Sequence, residues 1–297
     1  MKALLFLFFI TFIIIVHKPG YAEYAGVVER KEVVVCFEES LRIAAKKVAD
    51  IYPEIKEELE TKIGWQINFR PTILVLKNKK KFQMAGGSEL IVALAIPRRN
   101  LIVIDYSKME IIPFTIEATL KHELCHLLLH RYIKRGNLPK WLDEGIAQWV
   151  SGGMIEIVMD NKRSMLNKTI LSGRYIPLRY LAYQFPDKRD HILLAYEESK
   201  SFVEYIVSAY GTEGILRVLN YLSDDYSINE AMLNGLLISL EELEQKWLKH
   251  LRKRITWFTY LSSNLYNILF FIAALVTILG FVKILMKKRA YMDEEEI

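Results

Sequence analysis

The sequence predicts an α+β fold: an N-terminal mixed sheet with a hairpin edge strand, packed on a mainly helical half and followed by a C-terminal apolar helix. Three observations predict it. Runs rich in β-branched residues are confined to the chain before Pro113. From there to Arg254 almost every segment has helical periodicity. Leu265 to Met286 is apolar apart from Asn267, Thr277 and Lys283. Strands first and helices second make an α+β domain. With 297 residues, 52% hydrophobic and 25% charged, the chain can build a sizeable core and is not a disordered polypeptide.

The elements follow in order. Lys31–Phe37 (KEVVVCF) reads as a strand, and Ser40 as the cap of a helix running to about Lys62 with a kink at Pro53. Trp65–Leu76 reads as a second strand and Asn78–Lys81 as a basic turn. Leu90–Ile96 and Leu101–Asp105, separated by Pro97-Arg98-Arg99-Asn100, carry a hairpin signal. Helical segments are expected at 114–134, 140–151, 177–184, 191–210, 212–223, 228–236 and 239–255, with Tyr210-Gly211 as a C-cap. The organisation expected is a signal segment at 1–22, an α/β part at 23–112, a helical part at 113–256, a membrane span at 265–286 and a charged tail at 287–297.

Both ends read as membrane-related. Lys2, the uncharged run Ala3–Val16 and the small residues of Gly20-Tyr21-Ala22 have the layout of a secretory signal. A helix rising ~1.5 Å per residue over 265–286 crosses a ~30 Å hydrocarbon core. Lys287, Lys288 and Arg289 beyond it argue for a cytoplasmic C-terminus. A second basic cluster precedes the span: Lys246, Lys249, Arg252, Lys253 and Arg254. The signal decides between them and sends the body out of the cytoplasm. The upstream cluster then reads either as an amphipathic helix on anionic headgroups, with Trp247, Leu248, Leu251, Ile255 and Phe258 as its apolar side, or as a last core helix with a basic solvent face.

The net charge of +5 is modest, and no basic–aromatic motif of a nucleic-acid reader is present, so nucleic acid is not an expected partner. Two cysteines cannot make a disulfide framework, and Cys36 and Cys125, both in apolar settings, read as buried thiols.

The chemistry is concentrated in TLKHELCHLLLHRYIKRGNLPKWLDEGIAQWV, residues 119–150. His122-Glu123-Leu124-Cys125-His126 matches H-E-x-x-H. Residues four apart share a helix face, so both imidazoles can converge on one metal ion while Glu123 lies beside them. Zinc suits two imidazole nitrogens. The helix has leucines at 120, 124 and 127–129, and burying two imidazoles and a carboxylate there is costly without a partner. Glu144 opens a second helical segment after the Gly136–Pro139 turn, which can bring it back over the first. Two histidines and a carboxylate leave a fourth position open, the arrangement of a catalytic zinc.

On HELCH at 122–126 and WLDEGIAQW at 141–149 the sequence resembles the gluzincin metallopeptidases, particularly the peptidase MA-like domains, and is similar to the catalytic domain of the zinc aminopeptidases. The resemblance implies a zincin-like helical half, one zinc per chain held by His122, His126 and Glu144, and Glu123 as general base. It implies a peptide or protein as substrate. By likeness to the aminopeptidase relatives, Tyr196 in Tyr196-Glu197-Glu198-Ser199 would donate to the oxyanion, with His191, Tyr205 and Tyr210 as rivals. The chain departs from the family pattern at Gln148, where many relatives carry an acid that orients a histidine; Asp143 is the alternative partner. No signature for gripping a free N-terminus is found, so endopeptidase activity is expected over aminopeptidase activity. The competing expectation is a zinc-containing but degenerate peptidase domain that acts as a tethered peptide-binding or sensor module.

Overall fold

The computed structural model describes residues 26–89, 91–109, 115–153 and 165–295. The expected signal segment, residues 1–22, lies outside them, as does the change of character at 110–113. The chain divides into two units: Met1–Arg135 with Ile146–Asp160, and Gly136–Gly145 with Asn161–Ile297.

The first unit is built on a five-stranded mixed sheet. Its strands are β1 (Gly26–Glu29), β2 (Val34–Phe37), β3 (Thr72–Leu76), β4 (Ala93–Ile96) and β5 (Leu101–Asp105), in the order β1-β2-β3-β5-β4. The inner pairs β2–β3 and β3–β5 are parallel, and the outer pairs β1–β2 and β4–β5 are antiparallel. Parallel central strands are covered on both faces and therefore read as continuous apolar runs, as TILVL and LIVI do. Alternate residues face opposite ways. Cys36, Leu74, Leu76, Leu101 and Val103 form one face with Phe82. Val35, Phe37, Ile73, Val75, Ile102 and Ile104 form the other, where helices α1 (Arg42–Ile63) and α3 (Ile116–Tyr132) pack. The expected hairpin is present: β4 and β5 pair around a 3-10 turn at Pro97–Arg99, with Asn100 at φ 47°, and β4 is a sheet edge.

Helix α1 buries Ala45, Val48, Ala49, Tyr52, Ile55, Leu59 and Ile63 along one stripe and accommodates Pro53 internally. Several sequence expectations are corrected here. Ser40 does not cap α1; the chain enters it through a 3-10 turn at Glu39–Leu41, with no side-chain cap. The second strand covers only Thr72–Leu76. Trp65 and Ile67 are buried outside any strand, because the Ile67 N–H bonds to the Glu60 carboxylate at 2.6 Å rather than to a neighbouring strand. The basic turn is the start of a helix, α2 (Lys79–Met84), because the Asn78 side chain accepts from the N–H groups of Lys80 and Lys81. Strand β1 was not expected.

The second unit is helical: α5 (Met165–Ser172), α6 (Arg189–Ser223), α7 (Ile228–Leu236), α8 (Leu240–Ser263) and α9 (Leu265–Glu295). Helix α6 is broken at Gly211 (φ 72°, ψ 171°), at the expected join between two helical segments. Ser227 and Glu230 form a capping box that starts α7 where the periodicity placed it. The helix expected at 177–184 is only a 3-10 turn at Leu178–Tyr180. The N–H groups of Ile176 and Leu178 are taken by the carboxylates of Glu198 and Glu244, which hold this segment as a strap. Helix α5 was not expected.

Helix α8 turns Leu243, Trp247, Leu248 and Leu251 into the core and exposes Lys249, Arg252, Lys253 and Arg254. These four apolar residues serve packing within the unit, so the core-helix reading holds for them; the side chains of Ile255 and Phe258 lie outside the described ones. In α9 the stretch Leu265–Met286 is long and apolar enough to cross a membrane, and none of it is buried.

Candidate metal centre

Helix α3 starts at Thr115, whose side chain accepts from Ala118 N–H. It is buried nearly all round, including His122, Glu123, Leu124, Cys125 and His126. A helix apolar on every side belongs in an interior, so its ionisable residues there are conspicuous. One turn apart, His122 and His126 converge: their Nε2 atoms are 3.2 Å apart and their rings meet edge to face, centroids 4.8 Å apart. Two nitrogens ligating one tetrahedral ion at ~2.0–2.1 Å stand about 3.3 Å apart, so the pair has the spacing of two ligands to one ion.

The third residue comes from α4 (Lys140–Ser151). Its start is fixed by the strap: the N–H groups of Lys140 and Trp141 donate to the carbonyls of Ala182 and Leu181. Trp141 is fully buried, edge to face with Phe202, which in turn meets Trp247 of α8. Gly145 is where α4 meets α6. A Cβ there would lie 2.5 Å from Val203 Cγ2 and 2.6 Å from the Ser199 carbonyl oxygen, so this motif position requires glycine. At the far end Lys62 of α1 donates to the Trp149 carbonyl at 3.1 Å, with its ammonium 4.6 Å from the ring centre. Burial pulls the Lys62 amine below its usual range, and Lys121 adds to that.

Glu144 is 1% exposed. The ligand atoms of His122, His126 and Glu144 all lie within 4.8 Å of one another, so this buried cluster could hold a metal ion. Two imidazoles and a carboxylate are a donor set that fits zinc. Glu123 is buried beside His122 on the same helix. Asp143 and Gln148, the two candidate partners for a ligand imidazole, are both buried on α4.

Tyr196 is buried on α6, its ring edge to face with Phe185 at 5.0 Å. The Phe185 ring lies 5.9 Å from the Lys140 ammonium, which pairs with Glu144. Three contacts, through Phe185 and Lys140, thus connect Tyr196 to Glu144. Of the rivals, His191 is exposed at the start of α6, and Tyr205 packs on His250 of α8. Cys36 and Cys125 are buried thiols outside any disulfide, as expected.

Sequence reasoning missed the residues that hold the site. Glu197 accepts from the N–H groups of Met165 and Leu166, starting α5. Glu198 accepts from Ile176 N–H at 3.0 Å, and Glu244 from Leu178 N–H at 2.8 Å. Burial pushes the Glu198 carboxyl up to about 8; the Ile176 N–H opposes this, and Glu244 and Glu197 add to it. Burial also raises Glu244. These carboxylates bond backbone far away in sequence, and no local pattern marks them. Lys140 was legible, as the residue four before Glu144 on the same helix.

A mixed sheet, a buried helix bearing two histidines and a second helix bearing a buried glutamate define a peptidase-like fold with a candidate metal centre. The chain belongs to the peptidase MA superfamily, whose family model matches residues 59–253. No curated protein matches the chain.

Proposed function

We propose that this chain is a membrane-anchored zinc metallopeptidase with its peptidase domain on the extracytoplasmic side. The observation that carries the reading is the convergence of His122, His126 and Glu144 in a member of the peptidase MA superfamily. His122, His126 and Glu144 would hold the zinc, which would supply a Lewis acid and lower the pKa of water toward ~7. Glu123 takes the proton of the attacking water and returns it to the leaving amine. The Tyr196 hydroxyl donates to the carbonyl oxygen as negative charge develops there. β4, the outer strand of the sheet among the described residues, offers backbone groups to an extended peptide, which favours internal cleavage of a chain over trimming from its end. Export by residues 1–22, retention by residues 265–286 and the basic run at 287–289 give a single-pass protein with a cytoplasmic C-terminus.

The test is made on the full chain in detergent: zinc per chain and cleavage of a peptide library, in wild type, Glu123→Gln and Glu144→Ala. The expected result is one zinc and turnover in wild type, zinc without turnover in Glu123→Gln, and greatly weakened zinc binding in Glu144→Ala. Zinc binding and peptide binding in wild type without any cleavage would replace this reading with the tethered binding module. Absence of zinc from the metal-replete wild type would remove both.

A further inference from the structure

Lys140 is the first residue of α4, and its ammonium is paired with Oε1 of Glu144 one turn on. As a helix-stabilising pair this arrangement is poorly placed. A cation in the first turn opposes the helix dipole, and lysine before glutamate is the weaker order for such a pair. The pair also differs from an exposed ion pair, because the Glu144 side chain is 2% exposed against 38% for Lys140. The lysine is held from several sides. Its N–H donates to the Ala182 carbonyl at 2.8 Å, and its ammonium lies 5.9 Å from the Phe185 ring centre. Phe185 is itself braced by Tyr196.

We propose that Lys140 is a positioning residue for the metal centre: by holding Oε1 of Glu144 it leaves Oε2 as that residue's single ligand oxygen. This inference rests on the reading of His122, His126 and Glu144 as a ligand set. An oxygen engaged in a charge-assisted hydrogen bond is a poor second ligand, and groups bonded to metal ligands orient them. The lysine thereby keeps the carboxylate from chelating through both oxygens and preserves an open position for water or a substrate carbonyl.

The test uses the full chain in detergent, stripped of metal and reloaded with cobalt(II) alone. Visible absorption reports coordination number, being intense for four ligands and weak for five or more. The expected result is an intense band in wild type and in Lys140→Arg, which keeps the charge and the donors. In Lys140→Met the band should weaken severalfold while one cobalt is still bound, as the second carboxylate oxygen enters. An unchanged band in Lys140→Met at full occupancy would overturn the proposal and leave the ligand set standing. A wild type that takes up no cobalt would overturn the ligand set and the proposal with it. Should Lys140→Met not fold, Lys140→Ala, which also lacks a donor, carries the same comparison.

Discussion

The two helices that supply the candidate centre are fixed in opposite ways. In α3 the relation between His122 and His126 is internal to one helix and follows from a spacing of four residues. In α4 the place of Glu144 is set from outside: by the aromatic run Trp141–Phe202–Trp247, the close pass of α6 at Gly145, the strap under the first turn and Lys62 at the last. The histidine pair is therefore as robust as a helix, whereas the third residue depends on contacts made far along the chain.

Truncation of a core residue on each helix should separate the two. Trp141→Ala is expected to cost about 3–5 kcal/mol and to weaken metal binding in whatever remains folded, since Glu144 loses its brace. Leu120→Ala, equally buried on α3, is expected to cost about 2–5 kcal/mol yet to leave the affinity of the folded protein near wild type. Denaturation curves and metal competition on both variants check this; similar affinity losses in the two would erase the distinction.

Gly145→Ala forces a methyl against the Ser199 carbonyl and Val203. A loss of about 1–3 kcal/mol is expected, with a drop in metal affinity that an alanine at Gly153, where a Cβ would meet nothing within 4 Å, does not produce. Thermal melts of the two alanine variants, with and without zinc, make the comparison.

The strap gives a pH signature. Unfolded, Glu198 loses its proton near the ordinary carboxyl range around 4.5; folded, it keeps that proton up to about 8. Between these values the folded state holds the extra proton, so stability falls as pH rises from about 4.5 to about 8, and this contribution is constant outside that window. The slope from this group is at most about 1.4 kcal/mol per pH unit. Glu198→Gln should flatten the midpoint-against-pH curve across that range, with Glu244 leaving a residual slope of the same sign. A curve as steep as wild type would show that Glu198 does not titrate this way.

The smallest effect is expected at Lys62→Met. Losing the bond to the Trp149 carbonyl and the contact with its ring should cost about 1–2 kcal/mol, measured by denaturant midpoint.

What was legible in the sequence divides along the same line. The extent of α4 and α7, the end of α6's first segment at Gly211 and the β4–β5 hairpin could be read because periodicity, caps and turn residues act within a few positions. The readings that failed involved competition from a distance. Trp65–Arg70 has strand-like composition, but Glu60 takes the Ile67 N–H. Residues 177–184 have helical spacing, but only Leu178–Tyr180 forms a turn, and the carbonyls of Leu181 and Ala182 accept from the first N–H groups of α4. Asn78 is a different failure: its cap was present locally and was outweighed by three lysines that looked like a turn.

By itself the sequence determined the α+β order of elements, the four-residue histidine spacing, the identity of the glutamate that could join it and a C-terminal helix of membrane-spanning length. Each depends on interactions within one helix, one hairpin or one short motif. Only the tertiary structure decided the order of the strands, the close pass of α6 that requires glycine at 145 and the carboxylates that carry the strap. These rest on burial and on hydrogen bonds between segments brought together by packing, for which a residue's neighbours in the chain hold no record.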